Sequence, residues 1–139
     1  MSARLHLKLE ARPEELERIN AALEEFGERE DWPPKLLFRV NLVLEELGLN
    51  VMTHGQGAGA SELEVIVTSD AEAVAIEVVD DGPRFDPLQD APLPDREASL
   101  DERPVGGLGI HLVRTMMDEV SYRYEEGKNR LTLVTGTSA

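Results

Sequence analysis

Three polar side chains of types that can serve in catalysis or metal binding lie at regular intervals along one stretch of the sequence, VLEELGLNVMTHG. Glu46, Asn50 and His54 follow one another at intervals of four residues. In an α-helix this spacing places the side chains on one side, each about one turn from the next. A carboxylate can accept a proton, and an amide oxygen can bind a hard cation. The same pattern also occurs on an ordinary solvated helix face, so these residues alone do not define a site.

Two further stretches place reactive or ligand-binding groups where the backbone turns. In VVDDGPRFDP, a hydrophobic strand ends in the acidic pair Asp80 and Asp81, which is followed by Gly82. In VGGLGIHLV, glycines lead directly into a predicted helix, whose free N–H groups and positive dipole end favour an anion. Each stretch alone is also typical of an ordinary turn or loop. The information therefore lies in the combination of all three stretches.

The elements that must position these groups follow from hydrophobic periodicity. Alternating leucines in LHLKLEA predict a half-buried strand. Two helices follow, one opened by Pro13 and reaching about Glu28, the other starting after Pro34 and ending near the glycines of HGQGAGA. The stretches ELEVIVTS and AVAIEVVD predict one antiparallel hairpin, and VSYRYEEGKNRLTLVT predicts another. The predicted fold class is α/β in the α+β sense, a two-layer sandwich with a mostly antiparallel, mixed sheet and helices on one face.

Composition limits the classes of function. A chain of 139 residues predicts a single domain, covering residues 1–139. With 41% hydrophobic residues and no long apolar run, we expect neither disorder nor a membrane span. The N-terminus lacks the features of a secretory signal, so a cytoplasmic location is expected. The absence of cysteine excludes disulfides and thiol catalysis, and a total of three histidines argues against a histidine metal cluster.

The charge balance bears on the partners of the protein. A formal net charge of −14 repels nucleic-acid phosphates, so we expect no binding of nucleic acid. A single nucleotide is still compatible with this charge when a divalent cation and backbone amides offset its phosphates. The string GQGAGA formally fits a dinucleotide-binding pattern, but its glycines follow a helix and precede a strand, the reverse of the required order.

In their order along the chain, three segments resemble the N, G1 and G2 boxes of the GHKL ATPase superfamily. These segments are ELGLN with the histidine that follows it, DDGPRFDP and GGLGIHLV. Within the superfamily, the sequence is most similar to anti-sigma factor serine/threonine kinases of the RsbW type. The resemblance covers nearly the whole chain. It implies the Bergerat ATP-binding fold, ATP and Mg²⁺ as cofactors, and an ATP lid over about residues 87–105.

The resemblance also implies roles for individual residues. Glu46 matches the carboxylate that acts as general base, and Asn50 matches the asparagine that helps to hold Mg²⁺. His54 would either contact phosphate or cap the helix. Asp80 matches the aspartate that accepts a hydrogen bond from the adenine amino group. The other nucleotide-binding residues that the resemblance implies are Gly82, Arg84, Gly106, Gly107, Leu108, Gly109 and Thr132.

Three positions in this set depart from the family pattern, leave a choice open or match it only loosely. Arg84 stands where the G1 box usually has a second glycine, so the local turn must differ, and Arg84 would either reach phosphate or point to solvent. The adjacent Asp81 is an alternative to Asp80 as the adenine acceptor, although the spacing from Gly82 and Phe85 favours Asp80. Thr132 matches the nucleotide-side polar residue of the closing strand only loosely.

The function that the resemblance implies is that of a bacterial serine-protein kinase acting as an anti-sigma factor in a partner-switching system. Such a kinase would transfer the γ-phosphate of ATP to a serine of an anti-anti-sigma protein of the STAS type and would also bind a sigma factor. RsbW-like proteins commonly form homodimers through the edge that bears the first strand, so a homodimer is expected. Two alternatives stay open: an ATP-dependent regulatory binding module without kinase activity, and a stand-alone histidine kinase catalytic domain.

Overall fold

The computed structural model describes residues 2–56, 62–82, 84 and 113–137, with residues 50–56 described by their backbone alone. Within this part of the chain, the strands of the sheet are β1 (Ala3–Glu10), β2 (Glu62–Ser69), β3 (Ala73–Asp80), β4 (Glu119–Glu125) and β5 (Lys128–Gly136). Between β1 and β2 the chain forms a 3₁₀ turn (Pro13–Glu15) and two helices, α1 (Leu16–Arg29) and α2 (Pro34–Gln56).

The sheet has the strand order β1-β2-β3-β5-β4, and each of its pairings is antiparallel. This confirms the predicted α+β sandwich, although the described sheet is wholly antiparallel and not mixed. Both predicted hairpins are present. The hairpin of β4 and β5 turns through Glu126 and Gly127, whose φ angles are 55° and 78°. Two successive positive φ angles are typical of the type I′ turn, which closes a two-residue hairpin and fixes its register.

The helices cover one face of the sheet and enclose the hydrophobic core with it. Residues at three- and four-residue steps along α1 and α2 pack on alternate residues of the strands, as the predicted helical stripes require. The most deeply buried helical side chains are Ile19, Leu23, Phe26, Leu36, Val40, Val43 and Leu44. One detail differs from the prediction: the turn opened by Pro13 is 3₁₀, because the N–H of Leu16 bonds to the carbonyl of Pro13, and the α-helix begins only at Leu16.

Two side-chain hydrogen bonds anchor the start of α2 to one end of the sheet. Just before the helix, Nε1 of Trp32 donates to Oγ of Ser69 at 2.9 Å, where β2 ends. Within the helix, Nη1 of Arg39 donates to Oγ1 of Thr135 at 2.9 Å, near the end of β5. The first turns of α2 therefore lie over the end of the sheet at which β2 and β5 finish. Among the described residues, no helix, α2 included, combines the length and apolarity needed to cross a bilayer.

The later turns of α2 extend toward the opposite end of the sheet. From Arg39 to Asn50 the helix advances about 16 Å at its usual rise. Over a similar distance, about 20 Å, β5 runs back from Thr135 to Asn129. Since β3 is antiparallel to β5, with Asp80 opposite Asn129, the end of β3 also lies there. The fold therefore places the backbone of Asn50 at the same end of the molecule as Asp80.

The bond between Trp32 and Ser69 gives a stability prediction. In Ser69→Ala the part-buried indole N–H loses its acceptor, so we expect the free energy of unfolding to fall by about 1 kcal/mol. Urea unfolding followed by the fluorescence of the single tryptophan measures this change. The control is Thr68→Ala, which removes the adjacent hydroxyl from the opposite face of β2 and should change stability by less than about 0.5 kcal/mol. Equal effects of the two substitutions would contradict this role of the bond.

Candidate functional site

Asp80 is held at the end of β3, on the face of the sheet that the helices cover. Its Oδ1 accepts hydrogen bonds from the backbone N–H of Gly82 at 2.9 Å and from Nδ2 of Asn129 at 3.0 Å. The same Nδ2 donates to the carbonyl oxygen of Gly82 at 3.3 Å. In the described part of the chain, Oδ2 of Asp80 has no hydrogen-bond partner. The carboxylate is thus fixed through one oxygen and offers the other as an acceptor.

The electrostatic environment of Asp80 is unusual for an aspartate. Burial raises the pKa of its carboxyl group above the ordinary value, the hydrogen bonds from Asn129 and Gly82 partly oppose this rise, and the neighbouring charge of Asp81 adds to it. A half-buried carboxyl group with a raised pKa and a fixed orientation is the kind of group that clusters at functional sites. This combination makes Asp80 a candidate binding residue.

The neighbouring Asp81 is oriented differently. Its Oδ1 accepts a hydrogen bond from the backbone N–H of Glu62 at 3.0 Å, at the start of β2. The side chain therefore helps to tie the end of β3 to the adjacent strand. The sequence left open which aspartate would accept a hydrogen bond from adenine. This geometry favours Asp80 over Asp81.

Asn129 is a site residue that the sequence analysis missed. It lies directly opposite Asp80 in the ladder between β3 and β5, and its side chain is only 6% exposed. A signal for it is present in the sequence: Leu131 and Leu133 alternate along the predicted hairpin strand, and the same alternation places Asn129 on their face.

The placement of Thr132 has to be corrected. It lies three residues after Asn129, so it projects from the opposite face of β5, where it pairs with Glu77 and Ser121. The structure therefore does not bring Thr132 together with Asp80. On the helix-covered face of this strand, the polar residue beside Asp80 is Asn129.

Glu46 lies on the flank of α2 that faces β5. Arg39 precedes it by two helical turns on the same flank and contacts Thr135, which sets the orientation of this side of the helix. Glu46 is half-buried, and its carboxylate forms no hydrogen bond or ion pair within the described part of the chain. The backbone of Asn50 and His54 continues the helix from there toward the end of β3, and their side chains lie outside the described part.

The remaining residues of the predicted site are only partly described. Gly82 forms a bend and uses its N–H to hold Asp80, and Arg84 is exposed, with no hydrogen bond or ion pair to a described residue. The predicted lid, at about residues 87–105, lies outside the described residues. So do four predicted phosphate-binding positions, Gly106, Gly107, Leu108 and Gly109.

The class of protein follows from a family comparison. Residues 9–135 match the family described as Histidine kinase-like ATPase domain. The match covers most of the chain, which therefore belongs to this family. The predicted GHKL resemblance is confirmed.

Individual relatives refine this assignment. The chain is 31% identical over 114 residues to the serine/threonine-protein kinase BtrW of Bordetella bronchiseptica, covering 81% of this chain and 80% of BtrW. Its fold is similar to a crystal structure of the RsbU and RsbW domains of Rv1364c from Mycobacterium tuberculosis, with a TM-score of 0.61 and 14% identity. That match covers 96% of this chain and 32% of the mycobacterial chain, so this chain spans about a third of it, and the likeness shows the fold alone. The predicted similarity to RsbW-type proteins is confirmed for the fold.

Proposed function

We propose that this chain binds ATP and that Asp80 recognises the adenine base. The observation that carries the proposal is the held carboxylate: Oδ1 is occupied by Asn129 and Gly82, and Oδ2 is left as an acceptor. The exocyclic amino group of adenine is a donor that fits this acceptor. The 6-oxo group of guanine is itself an acceptor and would oppose it. Membership in the ATPase family supports the proposal independently.

We also propose that the bound ATP serves a serine-protein kinase reaction. The similarity to BtrW supports this activity, and Glu46 supports its chemistry. ATP supplies the γ-phosphoryl group. The hydroxyl of an acceptor serine would lose its proton to the carboxylate of Glu46 as its oxygen attacks phosphorus, and the bond to the β-phosphate oxygen would break. This reaction mainly requires positioning and charge stabilisation.

Mg²⁺ is proposed as the accompanying cation, with Asn50 as a ligand. A neutral amide oxygen on a helix suits this hard cation, which usually keeps several waters and shares few protein oxygens with substrate phosphates. Among the described residues there is no cluster of three metal-ligating His, Cys, Asp or Glu side chains. The proposal therefore depends on the donor chemistry of Asn50 and on the phosphates.

The proposal extends to the partners. The acceptor would be an anti-anti-sigma protein of the STAS type, and a sigma factor would be the second, alternately bound protein. A second copy of this chain is proposed to join at β1, which is an edge strand of the described sheet. The single-domain organisation and the cytoplasmic location expected from the sequence stay predictions.

A transfer assay tests the kinase proposal. The purified protein is incubated with Mg²⁺, γ-labelled ATP and a cognate STAS-domain protein, and the label should appear on a serine of the acceptor as an acid-stable phosphoester. An acid-labile label would instead indicate phosphohistidine and the histidine kinase alternative. Binding of ATP without any transfer would overturn the kinase proposal and leave the regulatory binding module.

The raised pKa of Asp80 predicts how base recognition depends on pH. Above this pKa the carboxylate is ionised and accepts from adenine; as the pH falls toward it, protonation removes the acceptor. We expect the ratio of ATP affinity to inosine triphosphate affinity to fall as the pH is lowered from neutral toward this pKa, because the two nucleotides share their phosphate titration and differ at the base. Calorimetry at several pH values measures this ratio. A ratio independent of pH would contradict the prediction.

A further inference from the structure

A chain of hydrogen bonds leads from β4, an edge strand of the described sheet, to Asp80. The hydroxyl of Tyr122 donates to Oδ1 of Asn129, and Nδ2 of Asn129 donates to Oδ1 of Asp80. We infer that Tyr122 is a positioning residue for adenine recognition: by holding the amide of Asn129, it keeps Asp80 in the orientation that offers Oδ2 to the base. This inference rests on the proposed binding of ATP and deepens it.

The direction of these hydrogen bonds is fixed at the Asp80 end, where Nδ2 of Asn129 meets two acceptors. An amide side chain can present either its oxygen or its nitrogen to a neighbour, whereas an ionised carboxylate can only accept. Nδ2 of Asn129 must therefore face Asp80, and Oδ1 must face the hydroxyl of Tyr122. A reversed amide would place its oxygen against the carboxylate oxygen of Asp80 and would remove one of the donors that hold it. The carboxylate of Asp80 and the carbonyl of Gly82 thus select this amide orientation, and the hydroxyl of Tyr122, which can donate or accept, holds the amide in it by donating to Oδ1.

The positions of these residues in the sheet make the chain of hydrogen bonds rigid. Asn129 is buried at 6% exposure between β3 and β4, and Nδ2 also donates to the carbonyl of Gly82. Tyr122 is half-buried and projects from the same face of the sheet, opposite Leu131. In a buried setting of low dielectric constant, such linked hydrogen bonds strengthen one another and restrict alternative rotamers. Loss of the hydroxyl should therefore affect Asp80, two links away.

Strand β4 also provides a matched control. Tyr124 lies two residues after Tyr122, on the same face, directly opposite Asn129 in the ladder. It is 43% exposed, and its hydroxyl forms no hydrogen bond with a described residue. Tyr124→Phe thus removes a hydroxyl from the same surface without breaking the chain to Asp80.

The charges around Asp80 are the same in both variants. Asp81 is its neighbour in sequence, and further charged groups from the surrounding elements line a cavity of about 390 Å³ next to both carboxylates. These groups are Lys8 and Glu10 of β1, Glu15 of the 3₁₀ turn, Arg18 of α1, Glu62 and Glu64 of β2, and Lys128 of β5. A tyrosine-to-phenylalanine change alters none of them. A difference in pH dependence between the two variants therefore reports on the hydrogen-bond chain.

The test measures the affinities of ATP and inosine triphosphate for the wild type, Tyr122→Phe and Tyr124→Phe by calorimetry with Mg²⁺ across the pH range. For Tyr122→Phe we expect ATP affinity to fall by about tenfold, with a smaller change for inosine triphosphate. The fall of the affinity ratio on acidification should also move to higher pH, because Asp80 loses support for its ionised form. Tyr124→Phe should match the wild type in both respects.

A second variant and a stability control separate positioning from general loosening. Asn129→Asp places a second carboxylate opposite Asp80, so ATP binding should weaken more than in Tyr122→Phe at high pH and recover partly on mild acidification, as one proton is shared. Thermal unfolding confirms that each variant is folded. Equal losses for both nucleotides with an unshifted pH profile would show that Tyr122 is only structural and would overturn the inference.

The outcomes distinguish this inference from the proposed function. If the wild type binds neither nucleotide, the proposed function fails and the inference fails with it. If the wild type prefers ATP and Tyr122→Phe keeps the same preference and pH profile, only the positioning role is overturned.

Discussion

Replacement of Glu46 by glutamine should slow phosphoryl transfer to the acceptor serine by about a thousandfold. Glutamine keeps the size and the helix propensity of glutamate, so α2 should remain intact, but it cannot accept the proton of the attacking hydroxyl. The affinity for ATP should change by less than a factor of about two, because Asp80 and the remainder of the site are untouched. Single-turnover transfer from γ-labelled ATP measures the first quantity, and calorimetry measures the second.

Glu45 supplies the matched control for this experiment. It precedes Glu46 on α2, is exposed, and carries the same charge on a different face of the helix. Glu45→Gln should leave the transfer rate unchanged, which separates the loss of a proton acceptor from the loss of one negative charge. Transfer by Glu46→Gln at the wild-type rate would remove Glu46 from the reaction.

Replacement of Asp80 by asparagine should weaken ATP binding by about a hundredfold, since a charge-assisted hydrogen bond is lost. The amide oxygen of the new side chain would take over the donors of Asn129 and Gly82, and its NH₂ group would then face the base. Two donors would meet at the amino group of adenine, whereas the 6-oxo group of inosine or guanine would find a partner. We therefore expect the preference between ATP and inosine triphosphate to decrease or reverse, as measured by calorimetry.

Asp81→Asn is the control for Asp80→Asn. Its amide oxygen can still accept the N–H of Glu62, so the tie between β3 and β2 is kept. ATP affinity should stay within a factor of about two of the wild type. A larger loss from Asp81→Asn than from Asp80→Asn would mean that the acid in contact with adenine has been assigned to the wrong residue.

The elements of the fold could be predicted because their signals are local. The apolar stripes of α1 and α2 and the alternation of β2 and β3 can each be recognised within a few consecutive residues. The resemblance to the GHKL family then implied the roles of Glu46 and Asp80. The start of α1 was less predictable, since Pro13 permits either an α or a 3₁₀ first turn and a single hydrogen bond decides between them.

The partners of Asp80 could not be predicted in the same way. Asn129 is 49 residues away in sequence, and only the pairing of β3 with β5 makes the two residues neighbours. Thr132 was implied only by a loose match to the family, and its position on the opposite face of β5 follows from the strand register. The link to Tyr122 depends further on the hairpin register, which the turn at Glu126 and Gly127 sets.

The placement of β4 at the margin of the described sheet has a consequence for nucleotide affinity. A strand with a neighbour on one side only is held by fewer interactions and is among the first parts of a domain to open locally. Because Tyr122 belongs to this strand, each local opening also releases the amide that orients Asp80. We therefore expect the apparent dissociation constant for ATP to include the equilibrium between the docked and frayed forms of β4, so that events at the outer rim of the sheet modulate occupancy of the site without touching the nucleotide.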